Sequence, residues 1–324
     1  MLAFKKKEND KMYQKKSILF LSVLLTLTSC GGEVPSSKEE HVTHVFGEWQ
    51  RDEQSHYRTC SICGYVEEGS HDDSVCDICA SFKILSLGFL EGGDSAHSHF
   101  AKEANSWFKE KSKEYGFIYD FSTDFSLLNE ETLSHYQVVM FLNNLPYEQS
   151  QRQAFENYMR KGGSFMGYHV SAFTTEASSW SWYHDEFLGS GNFRSNTWNP
   201  TKETLRVETH DHFATRYLPD TFVSSHNEWY SWEGDLRKNE DIEILLSLDQ
   251  NTFPVGDREG EIWYEGDYPV AWANKKYNMI YLNMGHNLQS YNDFEKISYT
   301  FSSPEECDFI LDGTLGLAEL SKIH

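Results

Sequence analysis

GGSFMGYHVS, residues 162–171, is the stretch that decides the fold. Its paired glycines stop a helical-looking segment, and Ser164, Phe165 and Met166 suit a buried strand. The chain then turns at Gly167-Tyr168-His169. A strand that ends in a Gly-x-nucleophile turn is how several α/β enzymes lift a reactive Ser or Cys above a sheet. Here the place belongs to His169, so the turn offers imidazole chemistry or metal binding, or it only binds.

Working outward, EQSQRQAFENYMRKGG (148–163) is a helix with a glycine stop, and QVVMFLNN (137–144) is a strand before it. Earlier still come a strand KILSLGFL (83–90), a helix FAKEANSWFKEKSKEYG (100–116), a strand FIYDFST (117–123) and a short helical passage LLNEETLSHY (127–136). Alternation at this spacing predicts βαβ crossovers and an α/β fold with a doubly wound, mostly parallel sheet. Ligands bind such sheets at the carboxyl ends of the strands. The loops holding His97, Asn143 and His169 should therefore converge. Beyond residue 200 the chain is richer in β signals, with TLRVETH, EILLSLD, PVAWANK and NMIYLNMGH reading as strands.

The 324 residues suffice for one large domain or two modest ones. A formal charge of −22 excludes a nucleic-acid partner, since a polyphosphate would be repelled. Six lysines between Lys5 and Lys16 precede an apolar run, ILFLSVLLTL (18–27), too short for a comfortable membrane span. The run ends in Leu27-Thr28-Ser29-Cys30, which resembles a bacterial lipobox. The expectation is a lipoprotein signal peptide over 1–29, lipidation of Cys30, a tether over 30–43, and anchorage to a membrane of the cell envelope. Loss of 1–29 removes a net charge of +4 and leaves −26.

Residues 44–80 hold two C-x-x-C knuckles, Cys60/Cys63 and Cys76/Cys79, twelve residues apart. Four thiolates on two such turns can close a tetrahedral zinc site, with His56 and His71 as possible substitutes. Two disulfides are the alternative that export makes credible. So small a module needs one staple or the other. The spacing of His44, Trp49, His56, His71 and the cysteines also resembles a short repeat of bacterial surface proteins.

Four ordered blocks carry a wider resemblance: QRQAFENYMRKGGSFMGYHVSA (151–172), WSWYHDEFLGSGNF (180–193), HDHFATRYLPDTFVSSHNEWY (210–230) and YPVAWANKKYNMIYLNMGHN (268–287). Over residues 81–324 the chain resembles the trehalose-utilisation (ThuA-like) family. That family's fold is similar to class I glutamine amidotransferases and is flavodoxin-like in outline. The resemblance implies His169 at the turn where those amidotransferases carry a catalytic Cys. It also implies site roles for Glu228, His286 and His97 or His99, although Asn227 stands where the family usually has Asp, and Phe213 where it usually has Pro. Cys307 lies far in sequence from any turn, so Cys-dependent glutamine hydrolysis is not supported.

Two or three imidazoles and one carboxylate in one pocket could hold a divalent metal or act as acid and base on a sugar. His184, His210 and His212 are expected to be structural. The resemblance implies carbohydrate catabolism, with trehalose-like or oxidised 3-keto disaccharides as substrates. Asn143 would contact the sugar, and Trp182, Tyr183, Trp229, Tyr230 and Trp272 would form a stacking wall. The rival expectation is a non-catalytic glycan-binding lipoprotein.

Overall fold

The computed structural model describes residues 44–47, 50–51, 55–70, 80–197, 200–249, 251, 266–287, 289–290 and 293–323. The signal segment, Cys30, the tether, His71, Cys76 and Cys79 lie outside the described residues. Three antiparallel strands come first: β1 (Gln50–Arg51), β2 (Ser55–Thr59) and β3 (Val66–Ser70). Between β2 and β3, Cys60 is buried and Cys63 is exposed on a tight turn, where Gly64 takes φ 73° and its N–H donates to the Cys60 carbonyl.

A nine-stranded mixed sheet forms the body of the molecule. Its parallel half contains β4 (Lys83–Gly88), β5 (Ile118–Ser122), β6 (Val138–Leu142), β7 (Ser164–Tyr168) and β14 (Tyr277–Leu282), in the order β14-β7-β6-β4-β5. Continuous burial along β6 and β7 fits strands covered on both faces. The other half is antiparallel, running β10 (Thr221–Val223), β9 (Thr204–Val207), β12 (Ile242–Leu248) and β13 (Pro269–Asn274) into β14. Outside this sheet, β8 (Phe193–Asn196) pairs with β11 (Tyr230–Trp232), and β15 (Gln289–Ser290) pairs with β16 (Asp293–Ile297).

Helices cover both faces. The first, α1 (Ser95–Tyr115), starts five residues before the sequence expectation. Asp94 caps it, accepting the Ala96 N–H at 2.8 Å. The second, α2 (Gln149–Arg160), ends ahead of Gly162 at φ 92°, as the paired glycines suggest. The third, α3 (Pro304–Leu320), begins with Ser303 as N-cap and Pro304 at its first position. Residues 127–136 supply only a single helical turn, Glu130–Leu133.

The pleat of β7 divides the core. Met166 and Tyr168 pack with Phe100 and Phe108 of α1 and Ile310 of α3. Phe165 faces the other way, onto Phe155 of α2 and the aromatic segment Trp180, Tyr183 and Phe187. Two faces, each filled with large apolar side chains, hold the carboxyl ends of β4, β6, β7 and β14 at fixed spacing, and the site is built there.

Candidate functional site

Each member of the site is delivered by a separate element at that edge. His169 follows β7 and adopts φ 42°, while Asn143 follows β6 at φ 60°. A left-handed backbone on a residue with a Cβ is uncommon and tends to mark functional turns. Gly285 follows β14 at φ 146°, and a Cβ there would come within 2.9 Å of the His169 Cβ and 3.2 Å of Asn143 Oδ1. Only glycine lets these three turns close on one another.

His97 enters from the first turn of α1, not from a loop, because the helix starts at Ser95. Its ring centroid lies 5.1 Å from that of His169 and 4.9 Å from that of His286. The His169 and His286 rings are 5.5 Å apart. Glu228 completes the group: its Oε2 is 3.4 Å from His169 Nε2 and 3.8 Å from His286 Nε2. The structure thus brings His97, His169, Glu228 and His286 together. His99, its alternative on α1, is half-buried and is not part of the His97–His169–Glu228 cluster.

The surroundings fix this geometry. His169 Nδ1 pairs with the Asn283 carbonyl at 2.9 Å; a carbonyl can only accept, so Nδ1 carries the proton and Nε2 the lone pair. Asn283 Nδ2 donates to the Glu228 carbonyl at 2.7 Å, and its Oδ1 accepts the Tyr230 N–H at 3.1 Å. Asn196 Nδ2 donates to Glu228 Oε1 at 2.5 Å, and the Tyr230 hydroxyl also hydrogen-bonds to that carboxylate. The Tyr230 ring lies 4.1 Å from the His169 ring. Asn227 Oδ1 accepts the Gly285 N–H at 3.1 Å, holding the turn that presents His286. An amide does this as well as a carboxylate would, so Asn227 in place of Asp keeps the turn.

Burial sets the protonation states. It lowers His169 to about 3 and holds His97 and His286 well below the ordinary histidine range, the neighbouring imidazoles adding to the effect. Burial raises Glu228, while His286 and the hydrogen bonds from Tyr230 and Asn196 pull it back. At neutral pH the pocket therefore presents three uncharged imidazoles. His97 Nε2, His169 Nε2 and His286 Nδ1 are buried without a hydrogen-bond partner. Unpartnered nitrogens at this density are unusual in a folded interior.

Two expectations need correcting. The stacking wall is not a surface: Tyr183, Trp229 and Trp272 are fully buried in the core, Tyr230 packs on His169, and Trp182 is half-buried against Tyr277. Trp272 Nε1 donates to the Leu188 carbonyl and the Tyr183 hydroxyl to the Ser171 carbonyl, so even their polar ends face inward. A sheet buried on both faces consumes large aromatics that a sequence alone would place in loops. Asn143 is likewise not turned to a ligand. Its Nδ2 donates to the Gly285 carbonyl at 2.6 Å and its Oδ1 accepts the Val170 N–H at 3.2 Å, which clamps three turns together.

His184, His210 and His212 stand apart from the site. His184 is buried beside Tyr183, His210 bridges the Thr215 carbonyl and Asp220, and His212 Nδ1 accepts the Ala214 N–H. Cys307 hydrogen-bonds to the Phe301 carbonyl, and burial pushes its thiol up to about 12, the opposite of an activated nucleophile. Asn283 and Asn196 were missed by sequence reasoning. Asn283 stands three residues before His286, and that position at a strand end was the one available signal. Among the described residues, no helix is long and apolar enough to cross a membrane.

The sequence profile of the ThuA family, described as trehalose utilisation, matches residues 90–299. A ThuA-like protein from Bacteroides uniformis ATCC 8492 is 34% identical, with a TM-score of 0.68 over 75% of this chain and 94% of that one. A ThuA-like protein from Parabacteroides merdae ATCC 43184 shares the fold at 17% identity, with a TM-score of 0.53 over 73% of this chain and 90% of that one. No curated protein matches the chain.

Proposed function

The chain belongs to the ThuA (trehalose-utilisation) family, which gives it a sugar-related role, and from that premise we propose that it is an enzyme acting on a disaccharide through the His97–His169–Glu228–His286 pocket. The substrate class is a trehalose-like disaccharide or its oxidised 3-keto form, consumed in carbohydrate catabolism. One observation carries the reading: three neutral imidazoles with ring centroids 4.9–5.5 Å apart, around a carboxyl, with buried nitrogens lacking partners. A neutral imidazole has its lone pair free at neutral pH; burial weakens it as a base, and the Glu228 carboxyl beside His286 raises that imidazole back towards the range in which a positioned base contributes about 10²–10⁴-fold in rate. The usual two-carboxylate glycosidase route is disfavoured, because Asp94, the second acid acting on the imidazoles, is engaged in capping α1 through the Ala96 N–H.

Aromatic surface for a sugar ring is present, though not where the sequence suggested. Phe89, Tyr147 and Phe173 are exposed, and each follows a strand (β4, β6 and β7) at the edge that carries the site. The Phe173 ring is 6.1 Å from that of Tyr230, which itself packs on His169. A non-catalytic glycan binder would place more of its aromatics outward, and the burial of Trp229 and Trp272 weighs against it.

Export as a lipoprotein anchored through Cys30, and zinc on Cys60, Cys63, Cys76 and Cys79, belong to the same proposal, on the sequence signals alone. The test is product formation from trehalose and 3-keto disaccharides by the full chain. His286→Ala should lower turnover roughly 100-fold or more. Sugar binding with no product from any member of the panel would sink the enzymatic reading.

A further inference from the structure

We propose that His97, His169 and Glu228 form a binding site for one divalent ion of the first transition row, with His286 standing beside it. This inference rests on the reading of the same pocket given above and assigns its parts.

The His169 tautomer is the first support. With Nδ1–H given to the Asn283 carbonyl, the Nε2 lone pair points into the pocket, in the arrangement by which a carbonyl orients a metal-binding histidine. That Nε2 is buried and makes no hydrogen bond, and the same is true of His97 Nε2. Burying an acceptor without a donor is costly, and a Lewis acid is a partner that satisfies several lone pairs at once.

The distances agree. His169 Nε2 stands 3.4 Å from Glu228 Oε2, too far for a good hydrogen bond between them. Two ligands about 2.1 Å from a common ion are roughly 3.0 Å apart along an octahedral edge and roughly 3.4 Å apart along a tetrahedral one. One ligand atom from each of His97, His169 and Glu228 lies within 4.8 Å of the other two. His97, on the first turn of α1, supplies the third ligand atom of this trio.

Outer partners already hold the ligands in place. Asn196 and the Tyr230 hydroxyl orient the Glu228 carboxylate as Asn283 orients His169. Two imidazoles and a carboxylate select zinc, cobalt, nickel, iron or manganese over calcium or magnesium, which prefer all-oxygen sites. His286 Nε2, at 3.8 Å from Glu228 Oε2, stands just outside this trio.

The test is equilibrium binding of Co²⁺, Zn²⁺ and Mn²⁺ to the full-length chain after chelator treatment. The Co²⁺ arm is followed by absorption, because nitrogen–oxygen ligation gives weak visible bands and thiolates add intense near-ultraviolet charge transfer. The expected result is one ion per chain held without thiolate ligation, beside any ion on Cys60, Cys63, Cys76 and Cys79, which alone would carry the thiolate band. Affinity for the thiolate-free ion should fall at least about tenfold in His97→Ala and in Glu228→Gln, and stay unchanged in Cys60→Ser. Glu228→Gln preserves the shape of the side chain, and circular dichroism of both variants guards against a folding defect. Absence of a thiolate-free ion, or wild-type binding by both folded variants, would overturn the site. Ion binding without turnover of any disaccharide supports the site and sinks the enzymatic reading. Turnover by a chain that binds no ion does the reverse.

Discussion

At φ 42°, His169 occupies a backbone region that most residues with a Cβ avoid, and its ring is wholly enclosed by His97, His286, Glu228 and Tyr230. A sequence reading that sees only a strand end expects an exposed side chain whose truncation costs little stability. The structure reverses half of that. His169→Ala should abolish turnover, since it removes the oriented imidazole. It should also destabilise the fold by roughly 1–3 kcal/mol, because the Asn283 carbonyl loses its buried donor and the Tyr230 ring loses its neighbour. Thermal unfolding alongside turnover checks both. An unchanged melting temperature would mean that the ring is not packed as described.

Among the elements, α3 carries the clearest pH signature. Glu306, in its first turn, is fully buried and hydrogen-bonded to the Ser225 hydroxyl at 2.6 Å and the Ser225 N–H at 3.2 Å. Burial raises its carboxyl to about 8. Glu103 of α1 pins the backbone N–H groups of Thr300 and Phe301, and burial raises it to about 7. A carboxyl raised in the folded state holds a proton that the unfolded chain has already lost near pH 4.5. Its contribution is therefore present at low pH and is lost as pH climbs towards the folded value. The buried imidazoles act in the opposite direction, favouring the unfolded chain as pH falls below about 6.5. Glu306→Gln keeps a neutral, hydrogen-bonding side chain at every pH. We expect the fall in melting temperature between pH 6 and pH 9 to be smaller in this variant than in the wild type. Parallel curves for the two proteins would show that Glu306 does not titrate in that window.

On the scale of the whole molecule, β1–β3 form a sheet of their own, sharing no strand pairing with the nine-stranded sheet among the described residues. The two core clusters draw entirely on residues from Phe82 onward. A chain beginning at Ala80 should therefore fold with a melting temperature close to that of the full chain, and scanning calorimetry checks this. A large loss of stability would show that residues 44–79 complete the core of the main domain.

Local signals determined much of this fold. Apolar runs, the Gly162-Gly163 stop and the Gly167-Tyr168-His169 turn marked β4, β6, β7, α2 and the edge where a site would form, because propensity and periodicity act within a few residues. The four ordered blocks contain His169, Glu228 and His286, and the resemblance they carry pointed to His97 or His99 as the fourth member. Tertiary structure alone decided the rest. Whether Trp229 and Trp272 face water or the core depends on what packs across the sheet, and no sequence window contains that partner. The start of α1 at Ser95, which moves His97 from a loop onto a helix, rests on an Asp94 cap that lacks an apolar run behind it. Asn283 and Asn196 gained their roles only when β14, β11 and β8 came together, since a hydrogen-bond partner is chosen by proximity in space. The pocket's uncharged imidazoles have the same origin: burial sets their protonation, and burial belongs to the assembled molecule.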